Sequence, residues 1–385
     1  MSAVPEVASV AQVRRTGPRR RLLSGDGWPY LLAPFIPLAI LLDLAHAAPA
    51  PVFVTSTLGV IPTAALMGRA TEELAARAGP GIGGLLNVTF GNAPELIIAI
   101  FALSAGLHEV VKASLVGSVL GNILLVMGGA MLAGGLGRER QRFDRRAAKA
   151  QSMLLLLAVV ALLMPAISEL MAGDGLPAPG SGATEFSADL QHMSIGVAVV
   201  LLLAYGAGLL FSLRTHRDLF NPAGQADHVG EEAWSTRRSV AMLALAGIAV
   251  AVMSEILVGS IQEASESVGL STFFVAVIVV AVVGNAAEHW VSVYFAMRDK
   301  MDLSVNIAVG SSAQIALFVA PVLVLLSFAI GPFPMALVFN GLEVGAILIA
   351  VLLAHLVTHE GESTWLEGVL LLGVYGVLGL VFFFA

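Results

Sequence analysis

Eleven long apolar runs constrain this chain more than any other feature. A helix needs about 20 apolar residues to cross the hydrocarbon core of a bilayer, and runs of about this length recur along the chain. Of the 385 residues 57% are hydrophobic and only 12% are charged, about half the roughly 25% of soluble domains. The runs are apolar throughout, whereas barrel strands alternate. The predicted fold class is therefore an all-α membrane protein with about 11 transmembrane helices, at 28–48, 51–69, 81–106, 113–136, 150–171, 190–213, 239–262, 271–297, 302–330, 335–357 and 364–385.

Lysine and arginine predict the orientation, because these residues concentrate in cytoplasmic loops. With a cytoplasmic N-terminus and strict alternation, 19 of the 20 lysines and arginines fall inside, and Lys112 alone falls outside. The C-terminus is then outside. Because an alanine-rich chain without cysteine or an organellar targeting segment is typical of bacteria, we expect the bacterial cytoplasmic (inner) membrane.

The N-terminus allows a second interpretation. Its arginines, the apolar stretch that follows and the Ala-His-Ala motif at 45–47 resemble a cleavable signal peptide. The stretch is long for a signal peptide and contains several prolines and Asp43, which favours an uncleaved helix. We therefore predict a basic cytoplasmic N-terminus at 1–27 and an extra transmembrane helix at 28–48.

A five-residue motif occurs twice and indicates an internal repeat. Residues 91–95 read GNAPE and residues 284–288 read GNAAE, an offset of 193 residues. The offset persists where the Gly-Ser pair at 117–118 falls on the pair at 310–311. Five helices in each copy make the copies enter the bilayer from opposite sides, and inverted repeats typify secondary transporters that bind substrate near the midplane. The predicted division is repeat 1 at 51–213, a cytoplasmic linker at 214–238 and repeat 2 at 239–385.

Glu95 and Glu288, the acids of the two motifs, are the predicted ion-binding groups. Both lie near the middle of an apolar run, where an ionised acid is costly unless it is paired or hydrated. Ca2+ takes six to eight hard oxygen ligands. Two carboxylates, neighbouring amides, freed backbone carbonyls and water could provide them, so the pair predicts a cation site.

The neighbours of the two acids fit such a site. Each asparagine lies one turn before an acid, and Pro94 cannot donate to the carbonyl of Phe90, so the helix is expected to break there. Ala287 stands at the corresponding place in repeat 2, which makes a second break less assured. The predicted supporting ligands are Asn92, Asn285, Phe90, Gly91 and Gly284.

Further polar residues lie close to the motifs or at membrane depth. Those predicted to flank the site are Ser118, Ser311, Ser312, Gln314 and His289. Small residues such as serine also serve close helix packing, which stays open as an alternative. Glu255 and Glu343 are candidates for a proton pathway, with neutral structural acids as the alternative.

At these residues the sequence closely resembles the calcium/proton antiporter branch of the cation/Ca2+ exchanger superfamily. The resemblance covers about residues 50–385 and is carried by LLNVTFGNAPELIIAIFAL at 85–103, SEILVGSIQ at 254–262, VGNAAEH at 283–289 and KMDLSVNIAVGSSAQIAL at 300–317. The sodium-coupled branch has serine or threonine where Asn92 and Asn285 stand. The resemblance implies eleven helices, Glu95 and Glu288 as principal cation ligands, and alternating access by sliding or rocking of two helices against a core bundle.

Many relatives of that branch have a strongly acidic helix between the repeats. The linker of this chain offers only Asp218, Asp227, Glu231 and Glu232, which argues against Ca2+-dependent regulation through this segment.

Together these observations predict a secondary active transporter that exchanges Ca2+ for H+, with both ions competing for the two glutamates. Na+/H+ or K+/H+ antiport at the same site is the alternative, and a passive channel would share the site without using a proton gradient. A hydrolase is disfavoured because the sequence has no His-Glu-x-x-His motif and no Ser/His/Asp set at matched depth. The predicted partners are Ca2+, H+ and the lipid bilayer. The sequence predicts no cofactor besides Ca2+ as transported substrate, gives no support for nucleic-acid binding and leaves the oligomeric state unknown.

Overall fold

The computed structural model of the chain describes residues 27–173, 175–181, 186–216 and 234–385. The predicted basic N-terminus, except residue 27, and most of the predicted linker, including its four acidic residues, lie outside the described residues.

Helices account for most of the described chain. After a 3-10 turn at Trp28–Leu32, the helices are α1 (Phe35–Leu44), α2 (Pro49–Gly91), α3 (Ala93–Ser104), α4 (His108–Gly135), α5 (Arg145–Ala172), α6 (Ala188–Thr215), α7 (Thr236–Ser267), α8 (Thr272–Gly284), α9 (Ala286–Met297), α10 (Met301–Leu326), α11 (Gly341–Glu360) and α12 (Trp365–Phe384).

The helices confirm a membrane protein, although they do not confirm the count of eleven spans. In the described residues eight helical segments are long and apolar enough to cross a bilayer, and two bent pairs bring the number to ten. A further apolar helical segment, Trp28–Leu44, belongs to the shorter class of 10–17 residues and is not counted among these ten.

The short loop expected between residues 69 and 81 is helical instead, because α2 runs from Pro49 to Gly91. A Cβ placed on Gly83 would lie 2.2 Å from the carbonyl oxygen of Ala75, whereas eight residues of straight helix span about 12 Å. The helix therefore bends sharply between these residues and still provides two spans, Pro49–Ala78 and the start of the next.

Burial places α4 and α10 at the centre of the bundle. Of their most apolar stretches, 83% and 72% are buried, against 17% for both α6 and α12. The two central helices occupy corresponding positions in the predicted repeats, as do the two peripheral ones. The core is thus built symmetrically around α4 and α10.

Segments predicted on the cytoplasmic side meet in the fold. Strand β1 (Gln141–Arg142) pairs antiparallel with β2 (Glu362–Ser363). The backbone N–H of Trp234, at the end of the predicted linker, donates to the Glu73 carboxylate at 3.0 Å. These contacts join parts of the chain that lie far apart in sequence.

Segments predicted on the other side also meet. Lys112, the single basic residue expected there, is buried within α4 and donates to the Val338 carbonyl at 2.8 Å. The Glu109 carboxylate accepts a hydrogen bond from the backbone N–H of Gly180. The ends of α4 and α11 and the loop after α5 therefore lie together.

The predicted span 335–357 starts too early, because α11 begins at Gly341. The preceding residues are apolar and buried, but they do not form a helix. Serine side chains accept hydrogen bonds from two of their backbone N–H groups. Ser327 accepts from the N–H of Met335 at 2.8 Å, and Ser194 accepts from that of Leu337 at 3.0 Å. Irregular backbone at membrane depth is tolerated where protein covers it.

Candidate ion-binding site

Both motif asparagines break their helices. The bend is 43° between the last part of α2 and α3, and 61° between α8 and α9. The expectation that the second break is less assured is therefore wrong. The amide of Asn285 donates to the carbonyl of Ala281 at 3.0 Å, which replaces the backbone hydrogen bond that the bend removes. Proline is thus not required in repeat 2.

The breaks place the two acids at helix starts and not within continuous helices. Glu95 lies in the first turn of α3 and Glu288 in the first turn of α9. The N-terminal end of a helix favours negative charge, and the carbonyl end of the preceding helix favours a cation. Each motif therefore offers a carboxylate next to a carbonyl end, the arrangement found in discontinuous helices of transporters.

Each glutamate lies beside the glycine of the opposite motif. Oε1 of Glu95 is 3.6 Å from the position of a Cβ on Gly284, and Oε1 of Glu288 is 4.0 Å from that on Gly91. The motif residues of the two repeats therefore come together in one site, in which equivalent residues are 193 positions apart in the sequence.

The asparagine side chains also form hydrogen bonds between the two repeats. Asn285 Nδ2 donates to Ser118 Oγ at 3.1 Å, and Ser311 Oγ donates to Asn92 Oδ1, also at 3.1 Å. Asn92 Nδ2 donates in turn to Gln314 Oε1 at 2.5 Å. Ser118, Ser311 and Gln314 are thus placed beside the motifs, as the sequence predicts.

Two other predicted flanking residues differ from this pattern. Ser312 Oγ donates to the carbonyl of Ala308 in its own helix at 2.8 Å. His289 Nε2 lies 3.2 Å from Asn122 Oδ1. Sequence reasoning missed Asn122, although an amide within the apolar run of α4 is the kind of signal that marks a functional position.

The two candidates for a proton pathway lie apart from the motifs. Glu343 is buried in the first turn of α11, a candidate membrane span, where it forms a capping box with Asn340. Glu343 Oε2 accepts the N–H of Asn340 at 2.9 Å, and Oε1 is buried with no hydrogen-bond partner in the described chain. Glu255 is exposed on α7. Glu72 of α2, which sequence reasoning missed, instead interacts electrostatically with Glu288.

Several oxygens of the site have the capacity to bind a cation. Glu95 Oε2 and Asn285 Oδ1 are buried and have no hydrogen-bond donor in the described part of the chain. The carbonyl of Phe90 accepts the N–H of Asn92, two residues on, and Pro94 has no N–H to donate to it. Buried acceptors without donors are costly, and carboxylate, amide and carbonyl oxygens are the ligands that hard cations take. The arrangement therefore suits a cation or a proton between the motifs.

Known proteins resemble the chain over almost its whole length. It is 44% identical over 364 residues to the Ca(2+)/H(+) antiporter of Aphanothece halophytica, covering 91% of this chain and 94% of that protein. It is 43% identical over 356 residues to the Ca(2+)/H(+) antiporter ChaA of Bacillus subtilis, covering 92% and 97%.

Solved structures share the fold. The structure of native YfkE aligns with a TM-score of 0.78 at 39% identity, covering 93% of this chain and all (100%) of that chain. The H+/Ca2+ exchanger CAX aligns with a TM-score of 0.68 at 16% identity, covering 94% and 92%, which shows the fold alone. A sequence profile described as sodium/calcium exchanger protein matches residues 49–214 and 238–384. The chain therefore belongs to the sodium/calcium exchanger protein family.

Proposed function

We propose that this chain is a Ca2+/H+ antiporter in which Glu95 and Glu288 bind either one Ca2+ or protons. The observation that carries the proposal is the crossed arrangement, in which each carboxylate lies beside the glycine of the opposite motif. Relatives named as Ca(2+)/H(+) antiporters support Ca2+ as the substrate. Na+/H+ or K+/H+ exchange has no comparable support.

The mechanism follows from placing two carboxylates together in one buried site. Two like charges in a low-dielectric site repel each other, and each also loses its hydration. Either Ca2+ between two ionised acids or protons on both acids removes the excess charge. The empty site with both acids ionised has the highest free energy. In this state the protein is least able to change between the conformations that face the two sides of the membrane, so movement of one ion is coupled to movement of the other.

The two halves of the site are packed differently, one against backbone and the other against side chains. A Cβ on Gly117 of α4 would lie only 1.9 Å from the carbonyl of Val277 of α8. The equivalent positions in the other half, Gly310 and Gly84, contact the side chains of Gln151 and Leu213 instead of each other. Glu288 is partly exposed, whereas Glu95 is buried. We infer that the site opens towards the cytoplasm in this conformation.

The proposed architecture is an extra helix at 28–48, repeat 1 at 51–213, a linker at 214–238 and repeat 2 at 239–385. The two stretches matched by the family profile support this division, as do the paired contacts of the motif residues. The proposed location is a bacterial cytoplasmic membrane, with the N-terminus inside and the C-terminus outside.

Orientation is tested with accessibility tags. Tags at the N-terminus and at 214–238 are expected to report the cytoplasm, and tags within 173–187 the outside, because 19 of the 20 basic residues fall inside in this arrangement. Labelling of intact cells and of everted vesicles provides the two readouts. A tag within 173–187 that reports the cytoplasm would contradict the inverted arrangement.

Ca2+-linked proton release tests the competition. Where both acids are protonated in the empty site, binding of one Ca2+ is expected to release close to two protons, since Glu95 and Glu288 can each give up one. Calorimetry in buffers of different ionisation enthalpy counts them. A count near zero at every pH from about 5 to 8, the range in which buried carboxylates can titrate, would rule out competition at these acids.

Flux measurements separate the antiporter from its alternatives. In proteoliposomes an imposed pH gradient is expected to drive uphill uptake of 45Ca2+, whereas a passive channel would only equilibrate the ion. Uptake of 22Na+ without 45Ca2+ under the same gradient would favour monovalent exchange instead.

A further inference from the structure

A line of polar side chains leads from one end of the bundle towards the ion site. It starts from α5, where Gln151 and Ser152 precede a long apolar stretch. Ser152 is completely buried at 0% exposure, and Gln151 Oε1 is buried with no hydrogen-bond partner in the described chain. Polar groups at membrane depth are costly unless they serve a path or a pair.

The outer end of this line reaches the side that we assign to the cytoplasm. Ser152 Oγ lies 3.2 Å from Nδ1 of His355 on α11. One turn further along α11 is His359, which is exposed, with its ring 6.2 Å from that of His355. Arg145 Nη2 lies 3.4 Å from His359 Nε2. His359 and Arg145 therefore bring titratable and charged groups to this end of the line.

The inner end of the line reaches the helix that supports the site. Gln151 Nε2 is 3.2 Å from the position of a Cβ on Gly310 of α10, so glycine lets the amide approach the backbone. Gly310 directly precedes Ser311 and lies one turn before Gln314, and both of these hydrogen-bond with Asn92. The amide of Gln151 therefore contacts α10 next to Ser311 and Gln314, the residues that hydrogen-bond with Asn92.

We propose that Ser152, Gln151 and His355 form a proton path between the ion site and the cytoplasm. The proposal rests on the proposed function. It assigns His355 as the group that exchanges protons with cytoplasmic water, and Gln151 as the positioning residue whose Oε1 holds a water molecule at the inner end.

The proton transfer is balanced without any reactant other than water. A proton leaves a site carboxyl group for water, the hydroxyl of Ser152 accepts a proton from this water and passes its own to His355 Nδ1, and His355 releases one from Nε2. Each proton that departs leaves one carboxylate charge, which the arriving Ca2+ neutralises. Histidine suits this role because either of its ring nitrogens can carry the proton.

The test uses the full chain in everted vesicles, with Ca2+-driven proton release followed by a pH-sensitive dye. His355→Ala and His355→Gln are expected to slow release by about 100-fold, the lower end of what a positioned proton-transfer group contributes. Imidazole added on the cytoplasmic side is expected to restore the rate of His355→Ala. Ser152→Ala is expected to slow release, and Ser152→Thr, which keeps the hydroxyl, to retain it.

Ca2+ affinity provides the second readout, since a proton path does not alter Ca2+ binding measured at equilibrium at one pH. His192→Ala, which removes an exposed histidine from α6, is the matched control and is expected to behave as the wild type. An unchanged release rate in His355→Ala, or a loss of rate that imidazole does not restore, would overturn the path. Absence of Ca2+-linked proton release from the wild type would overturn the proposed function instead.

Discussion

Replacement of Glu95 or Glu288 by glutamine is expected to abolish exchange while the protein still inserts and purifies. Glutamine has nearly the same shape, but it cannot supply a negative charge to Ca2+ and cannot release a proton. Each carboxylate forms a buried pair of opposite charges with the bound Ca2+. Removing one partner of such a pair costs about 3–5 kcal/mol, which corresponds to a loss of roughly 100-fold or more in cation affinity. Both halves of the exchange therefore fail in the same variant.

Proteoliposome uptake of 45Ca2+ under a pH gradient measures the loss, and calorimetry measures Ca2+ binding in the same preparations. Glu255→Gln is the comparison, because Glu255 is also an intramembrane acid but is exposed on α7. It is expected to retain Ca2+ binding. Full transport by Glu95→Gln or by Glu288→Gln would remove that residue from the proposed site.

The main features of the site could be predicted because they repeat in the sequence. The paired motifs and the constant offset predicted that Glu95 and Glu288 would meet, and the same register placed Ser118 and Ser311 beside them. The structure brings these groups together as hydrogen-bonded or neighbouring pairs. Periodic and repeated patterns are visible in a single sequence, since they need no knowledge of which distant helices touch.

The remaining features depend on contacts that a sequence alone does not show. Residues 335–339 are as apolar as a transmembrane helix, although they form a buried, non-helical segment whose backbone N–H groups bond to distant serines. This moved Glu343 from the interior of a span to the start of one. Asn122 and Gln151 were missed because neither has a polar counterpart at the offset of the repeat, where Ile315 and Val344 stand.

The helix break in repeat 2 also depends on a contact that the sequence alone does not show. Pro94 predicts the helix break in repeat 1, but the helix of repeat 2 bends more strongly without a proline. The side chain of Asn285 caps the carbonyl that the bend exposes. Asparagine at this position thus breaks the helix and also reaches Ser118 across the repeat, a dual role that local propensity does not reveal.

The two equivalent glycines of the central helices are expected to respond differently to alanine. In Gly117→Ala the new Cβ would lie 1.9 Å from the Val277 carbonyl oxygen and 2.7 Å from the Ala281 Cβ, so α4 and α8 must separate. Overpacking of this kind costs about 1–3 kcal/mol. In Gly310→Ala the nearest atom is the end of the flexible Gln151 side chain at 3.2 Å, which can move.

Thermal unfolding of the purified variants, followed by the loss of monodisperse protein, compares the two changes within one fold. Gly117→Ala is expected to lower the midpoint clearly, and Gly310→Ala to lower it little, because only the first meets backbone. Equal losses would mean that both halves of the site are packed alike. In the proposed orientation the close approach of α4 and α8 closes the outer half of the site. A separation of these helices would then also remove the barrier that keeps the site from opening to both sides at once.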